Sequence, residues 1–386
     1  MRKAFACVLA VLAAAAVACT MPPPGGGTPE PTTPAGDDTI GINQLQYLGT
    51  HNSYKIQPDL GFVALLGVGA GLFPSITTAG LDPAQLNYGH RPLTQQLDSG
   101  LRTFELDIWA DPTGSRFAAP LAAQLLGQPY PGGVDQPGMK VLHIQEIDYL
   151  STCPTLVACL GQLKAWSDAH PAHLPMILNI ELKQDPLPAP FDVTPIQPFD
   201  PAQLDAVDAE IRSVLGDRLI TPDDVRGSAP DLRTAVTTVG WPSVADSRGK
   251  FLFFIDNSGP VRDDYLAGHP NLAGRAMFTS SGFGQPDAAV LKVNDPGDGT
   301  YIRSLVEQGY LVRTRADADV VSPSTAGRDT ALASGGQVVH SDFPKGEPQF
   351  GSGYTVAFPT RVQARCNPVN TTPATCQPAA AVEPAP

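Results

Sequence analysis

With 386 residues, 42% of them hydrophobic, the chain can bury a sizeable core in one large domain or two smaller ones. This composition excludes a chain that is disordered throughout. The net charge of −13 argues against a general nucleic-acid binder, because most of the surface would repel phosphates. The 40 prolines and 37 glycines predict many ordered turns rather than a helical bundle.

The first 19 residues have the pattern of an export signal. Arg2 and Lys3 precede an apolar stretch, residues 4–18, that is too short to cross a membrane comfortably. A small-residue cleavage signal directly precedes Cys19, which fits either a lipoprotein anchored through Cys19 or a simply secreted protein. We therefore expect an exported protein, at the cell surface or released, with the Pro/Gly-rich residues 20–39 as a tether.

Four cysteines lie beyond the signal and allow three disulfide connectivities. In an oxidising compartment we expect the two local pairs, Cys153–Cys159 and Cys366–Cys376. No Cys-x-x-Cys pair occurs, so a zinc cluster is not expected. Residues 366–386 are expected to form a disordered tail around the second disulfide.

Short apolar stretches alternate with helix-like stretches, which predicts an α/β fold with a mostly parallel sheet, open or closed. No linker interrupts residues 40–365, so we expect a single domain there. The predicted strands are Gln46–Leu48, Arg102–Trp109, Lys140–Ile144, Met176–Leu182, Phe251–Ile255, Ala288–Val293, Tyr310–Arg313 and Gln337–His340, with Met277–Thr279 competing for the slot of Ala288–Val293. The predicted helices are Leu93–Ser99, Leu156–Ala169, Pro201–Leu215 and Asp298–Gln308.

One segment, from Leu60 to Leu81, contains no charged residue. Pro74 and several glycines interrupt it, and it is too short and irregular for a transmembrane helix. It is either a loop or helix that covers the domain or an apolar rim that touches lipid.

The strand Arg102–Trp109 carries the first acidic pair. Alternation places Glu105, Asp107 and Trp109 on one face and apolar residues on the other. Two adjacent carboxylates repel each other unless one is protonated or a cation lies between them. Oxygen ligands favour Ca²⁺ or Mg²⁺, so we expect a metal site here rather than the polar side of a solvent-facing edge strand.

The strand Met176–Leu182 repeats the design, since Asn179, Glu181 and Lys183 share one face. Glu181 would add a third acidic ligand, and Lys183 would suit a phosphate. The alternative interpretation is a buried ion pair between Glu181 and Lys183.

Two histidines lie at the ends of predicted strands. His51 and Asn52 come just after the first strand, at the edge where α/β barrels gather their active sites. His143 stands in the strand Lys140–Ile144. Together with the carboxylates, the histidines would form an acid/base pair for phosphodiester cleavage, and Asn52 would offer a neutral oxygen to a hard cation. Single histidines at strand ends are otherwise structural.

Late strand ends add further polar side chains. Arg313 and Arg315 share one face, and an inward arginine would bind phosphate well. Lys292 and Asp342 also stand at strand ends, where each taken alone is a weak signal.

The ordered segments resemble the phosphatidylinositol-specific phospholipase C family, and most closely its bacterial, calcium-dependent branch. They are LGTHNSY, LRTFELDIW, KVLHI and LNIELK, followed by LVRTRAD and GGQVVHSDFP, and the resemblance covers about residues 44–345. The resemblance implies a distorted (β/α)₈ TIM-type barrel and a bound Ca²⁺. It implies His51 and His143 as the catalytic pair and, as metal ligands, Asn52, Glu105, Asp107 and Glu181.

The resemblance also implies the reaction. We expect cleavage of phosphatidylinositol-type lipids to diacylglycerol and a cyclic inositol phosphate, by a monomer that works at a membrane surface. Lys183 and Arg313 are the candidates for headgroup contact. The alternatives are a glycerophosphodiester phosphodiesterase or sphingomyelinase D-like enzyme, whose His-Arg-Gly motif His51-Asn52-Ser53 does not match, and a non-catalytic surface protein that binds lipid.

Overall fold

The computed structural model describes residues 37–72, 82–128, 132–187, 191, 194–360 and 363–383. The predicted export signal, Cys19, most of the tether and Pro74 lie outside the described residues. Thr33–Pro386 forms one compact unit, as expected for a single domain.

Eight parallel strands form a nearly closed barrel, which confirms the predicted distorted (β/α)₈ fold. They lie in the order β6-β5-β4-β2-β1-β9-β8-β7, and an isolated parallel bridge between Ser280 and Val290 joins β6 to β7. The strands are β1 (Leu45–Thr50), β2 (Thr103–Trp109), β3 (Lys140–Val141), β4 (Met176–Leu182), β5 (Phe251–Ile255), β6 (Phe278–Thr279), β7 (Val290–Lys292), β8 (Leu311–Arg315), β9 (Val338–Ser341) and β10 (Ala364–Cys366).

Helices cover the outside of the barrel. They are α1 (Leu60–Leu72), α2 (Leu93–Asp98), α3 (Leu121–Leu126), α4 (Leu156–Ala169), α5 (Pro201–Leu215), α6 (Pro222–Arg226), α7 (Leu232–Thr234), α8 (Val244–Ser247), α9 (Pro260–Leu266), α10 (Thr300–Glu307) and α11 (Thr325–Ser334). The bounds of α4 and α5 match the prediction, since Thr155 and Asp200 cap their first turns through side-chain oxygens. None of the described helices is long and apolar enough to span a bilayer.

Two strand predictions were wrong. The stretch Lys140–Ile144 forms only the two-residue β3, which pairs antiparallel with β2 outside the barrel. The eighth barrel strand is β6, because Met277–Thr279 and Ala288–Val293 do not compete for one slot but form neighbouring strands. His143 therefore follows a short antiparallel pairing with β2 rather than a barrel strand.

The barrel wall is tight where β1 meets β2. A Cβ atom on Gly49 would lie 1.9 Å from the carbonyl oxygen of Thr103, so any larger residue would push the two strands apart. This close approach brings the end of β1 next to the acidic face of β2.

The C-terminal tail is ordered through Glu383, contrary to the expectation of disorder. Strand β10 pairs antiparallel with β1, and both predicted disulfides, Cys153–Cys159 and Cys366–Cys376, are formed. Glu383 accepts hydrogen bonds from the buried guanidinium of Arg102 and from the backbone N–H of Leu174. The tail orders because a buried arginine needs a carboxylate partner, a long-range demand that local composition does not reveal.

Candidate active site

The parallel register of β2 and β4 assembles the acidic cluster. Glu105 lies beside Asn179, and Asp107 lies beside Glu181, on neighbouring strands. Ligand oxygens of Glu105, Asp107 and Glu181 all lie within 4.8 Å of one another. Glu105 and Asp107 are buried, whereas 29% of the Glu181 side chain is exposed. The cluster therefore opens to solvent on the side of Glu181.

The three carboxylates differ in their partners. Both oxygens of Asp107 are buried without a hydrogen-bond partner, and the nearest cation is Lys183 Nζ at 3.7 Å. Burial and the charge of Glu181 raise the pKa of Asp107 well above its ordinary value. Glu105 instead accepts from Arg313 and lies 3.0 Å from His340 Nδ1. Burial opposes ionisation of Glu105, but the charge of Arg313 and the hydrogen bond with His340 are among the effects that lower its pKa. Asp107 is thus the carboxylate of the cluster with the fewest hydrogen-bond partners.

The turn after β1 carries Asn52, the fourth predicted metal ligand. Ser53 fixes this turn against β2, since its N–H donates to the carbonyl of Glu105 at 2.9 Å and its hydroxyl accepts from the N–H of Glu105 at 2.8 Å. Asn52 has a φ of 47°, a left-handed conformation that asparagine tolerates better than most residues. Its Oδ1 is buried without a partner, like the oxygens of Asp107.

These oxygens fit a hard divalent cation. Each donor is a carboxylate or amide oxygen, which is the ligand set that Ca²⁺ prefers. Three unpartnered buried oxygens on Asn52 and Asp107 would each be costly without a cation to bind. Glu105, Asp107 and Glu181 could therefore hold a divalent cation such as Ca²⁺.

His51 lies beside the cluster and is held by a carboxylate. Its Nδ1 lies 2.8 Å from Oδ1 of Asp342, whose other oxygen accepts from Arg315 at 2.8 Å. Although burial opposes ionisation, the charges of His51 and Arg315 hold the pKa of Asp342 at about 2. The ionised carboxylate can only accept, so Nδ1 carries the proton. This leaves Nε2 beside Glu105, 3.9 Å from Oε1.

His143 has a similar arrangement. Its Nδ1 lies 2.7 Å from Oδ2 of Asp148, and Lys55 Nζ lies 3.3 Å from the same oxygen. Burial lowers the pKa of His143, although Asp148 opposes that effect. Both predicted histidines thus present one nitrogen to a buried carboxylate and leave Nε2 for other contacts.

The two predicted headgroup contacts are already paired within the chain. Lys183 Nζ donates to Glu181 at 2.9 Å, and its carboxylate neighbours raise its pKa despite burial. Arg313 is only 1% exposed and donates to Glu105 and to Asn294. Arg313 therefore holds Glu105 in place rather than facing the mouth of the barrel. Lys292 pairs with Asp256 at the end of β5.

Sequence reasoning missed several residues of the site. Tyr88 lies between the two histidines, and no motif distinguishes it in the sequence. His340 contacts Glu105 from β9, and Asp148 holds His143. The spacing of five residues between His143 and Asp148 is a local signal that could have been used. Asp342 was noted at a strand end, but its pairing with His51 is visible only in the fold.

A family model described as phosphoinositide phospholipase C, Ca²⁺-dependent, matches residues 40–368. No curated protein matches the chain.

Similar solved structures come from bacteria. The calcium-dependent phosphoinositol-specific phospholipase C of Pseudomonas sp., in its apo form, is 16% identical with a TM-score of 0.53, and the match covers 86% of this chain and 97% of that one. The structure of the Pseudomonas sp. enzyme described as a myo-inositol complex is 17% identical with a TM-score of 0.51, and the match covers 82% of this chain and 93% of that one. The Ca²⁺-dependent phosphatidylinositol-specific phospholipase C of Streptomyces antibioticus is 21% identical with a TM-score of 0.48, covering 78% and 95%. The likeness to the Pseudomonas structures shows a shared fold.

Proposed function

This chain belongs to the Ca²⁺-dependent phosphoinositide phospholipase C family, and from that membership we propose that it cleaves phosphatidylinositol-type lipids to diacylglycerol and a cyclic inositol phosphate. Enzymes of this family are phosphoric diester hydrolases that act on phosphoinositides. The observation that carries the proposal is the arrangement of two carboxylate-held histidines with an acidic cluster in which the buried oxygens of Asp107 have no hydrogen-bond partner.

Asn52, Glu105, Asp107 and Glu181 would hold the calcium ion. When bound, calcium supplies a Lewis acid that offsets negative charge on the phosphate and makes a nearby hydroxyl more acidic. The unpartnered oxygens of Asn52 and Asp107 support this assignment.

Two protein side chains carry out the two proton transfers, one as the base and one as the acid. The 2-oxygen of inositol forms a bond to phosphorus while the bond from phosphorus to the diacylglycerol oxygen breaks. Glu181 is the better base for the 2-hydroxyl proton, because Glu105 is engaged by Arg313 and its pKa is lowered. His143 gives a proton to the departing oxygen.

His51 has a different role in this proposal. Its Nε2 lies on the same side as Glu105 and 3.4 Å from Nη1 of Arg315. His51, together with Arg315, would stabilise the negative charge that builds up on the phosphorane oxygens. Asp342 acts through His51 and Arg315 by fixing the orientation of both side chains.

A substrate panel tests the proposed function. We expect phosphatidylinositol to be cleaved in calcium and left intact in EGTA, with ³¹P NMR detecting a cyclic phosphodiester product. Glycerophosphodiesters and sphingomyelin serve as the comparison substrates. Faster cleavage of either would favour the rival enzyme classes, and calcium and lipid binding without turnover would indicate a non-catalytic lipid-binding protein.

We further propose that α1 contacts the lipid surface. Leu60, Leu65 and Val68 are 56%, 60% and 63% exposed, and the helix contains no charged residue. Phe62 on its buried side belongs to the same core cluster as Ala122 of α3. Ile147, which precedes the site residue Asp148, belongs to this cluster as well, and an exposed apolar helix in this place suits a protein whose substrate lies in a bilayer.

Replacing Leu65 by aspartate should lower the rate on phosphatidylinositol vesicles about 10-fold, because burying a leucine side chain contributes about 1.5–3 kcal/mol. The rate on a soluble inositol phosphodiester should stay unchanged. Val239→Asp is the matched control, since Val239 is 81% exposed and ends the helical turn Ala235–Val239, in which the Val236 carbonyl lies against Gly309, before the start of β8. Equal losses on both substrates would contradict the lipid contact.

We also propose that the protein is exported. The export pattern of residues 1–19 is supported by two formed disulfides, which persist in oxidising compartments. Attachment through Cys19 remains part of this proposal, and mass spectrometry of the mature N-terminus would detect a diacylated cysteine.

A further inference from the structure

Tyr88 is buried at the centre of the site without belonging to the acid/base pair or the metal ligands. It is 2% exposed and follows the 3₁₀ helix Pro83–Leu86. Its ring centroid lies 5.9 Å from that of His51, with the rings 21° from parallel, and 6.5 Å from that of His143. A side chain in this place contacts both halves of the proposed machinery.

The hydroxyl group of Tyr88 selects one orientation of the Asn52 amide. Asn52 Nδ2 donates to Tyr88 Oη at 2.7 Å. Because the amide group is planar, this bond turns Oδ1 away from Tyr88, and Oδ1 is then buried without a hydrogen-bond partner. The oxygen is thus left for a ligand, while the N–H₂ group that would repel a cation is held elsewhere.

Tyr88 is itself held firmly. Lys55 Nζ donates to the carbonyl oxygens of Tyr88 at 2.7 Å and Leu86 at 2.8 Å, and it lies 4.2 Å from the centroid of the Tyr88 ring. The ammonium group of Lys55 also lies 3.3 Å from Asp148. A fully buried lysine with these partners fixes the backbone and the ring of Tyr88 together.

We infer that Tyr88 is a positioning residue that presents Asn52 Oδ1 to the calcium ion. The role rests on the proposed calcium site but adds a residue that does not itself touch the metal. Groups that orient metal ligands in this way typically change metal affinity 10–100-fold when they are lost.

The test is calcium titration by calorimetry in the absence of substrate. Tyr88→Phe keeps the ring contacts and removes only the hydroxyl, so the chain should fold normally, and calcium should bind about 10–100-fold more weakly. Tyr265→Phe is the matched control, because it removes an equally buried hydroxyl that donates to Asp208 at 2.6 Å, outside the site. It should leave calcium affinity unchanged.

A double-mutant cycle separates this role from a general packing effect. In an Asn52→Ala background there is no amide to orient, so adding Tyr88→Phe should not weaken calcium binding further. The same loss in both backgrounds would overturn the role, as would equal affinity of Tyr88→Phe and the wild type. A wild-type chain that binds no calcium would overturn the calcium site itself and this role with it, and the wild-type titration reports that outcome separately.

Discussion

Replacing His143 by alanine should lower kcat on phosphatidylinositol by about 10²–10⁴-fold, because the departing alkoxide would leave without a proton donor. His143 lies at the surface of the site, with 18% of its side chain exposed, and its Nδ1 is held by Asp148. The substitution removes no core packing, so the unfolding temperature should change little. Single-turnover and steady-state rates on vesicles would measure the effect.

Two comparisons make that result specific. An aryl leaving group departs as a stable anion and needs no proton. His143→Ala should therefore cleave an aryl substrate with a far smaller loss of kcat. His170→Ala is the matched control, because His170 stacks on Trp166, beyond the C-terminal end of α4 and away from the cluster. An equal loss on the alkyl and aryl substrates would contradict the role of proton donor.

The pH dependence has a defined direction. A proton donor must be protonated, so kcat/KM should fall as the pH rises through the pKa of His143. Burial lowers that pKa from its ordinary value of 6.5, so the fall should begin below pH 6.5. The descending limb should be absent from the kcat/KM profile of His143→Ala, and its persistence would assign the limb to another group.

Replacing Asp107 by asparagine should have the second large effect, on calcium binding. We expect affinity to fall at least about 100-fold, since the substitution removes the carboxylate with the fewest partners from the cluster. In EGTA the same variant should unfold at a higher temperature than the wild type, because a buried group that resists ionisation has been replaced by a neutral one. Two effects of opposite sign are therefore predicted from one change.

Thermal unfolding with and without calcium would measure both effects. Calcium at 100 times its Kd should stabilise the wild type by about 2.7 kcal/mol and leave Asp107→Asn nearly unchanged. Asp208→Asn is the control, since Asp208 is a buried carboxylate that pairs with Tyr265 and Arg275 outside the site. If Asp107→Asn kept the calcium-dependent stabilisation, Asp107 would not be a ligand.

Strands with a continuous apolar face were predictable from the sequence. Met176–Leu182 and Phe251–Ile255 match the structure at both ends, because burial on both sides demands apolar residues in a regular pattern. Helix α11, with the sequence TAGRDTALAS, was missed because it is largely small and polar. The length of β3 was overestimated because its apolar residues pack in a short antiparallel pairing with β2 outside the barrel.

The acidic face was also predictable, because alternation along one strand is a local rule. Glu105, Asp107 and Glu181 come together as two-residue periodicity and parallel pairing require. The partners of the histidines were not predictable in this way. Asp342 is 291 residues from His51, and Tyr88 comes from a loop without a regular pattern. Their placement depends on the closure of the whole barrel.

The pairing of the C-terminal tail with the first strand has a consequence for biogenesis. β1 has β9 and β10 among its neighbours, and Arg102 finds its carboxylate partner 281 residues further along the chain. Without β10 and Glu383, residues 45–47 of β1 would lose their antiparallel partner and the buried guanidinium of Arg102 would lose its carboxylate. Contacts between segments so far apart in sequence make folding slow.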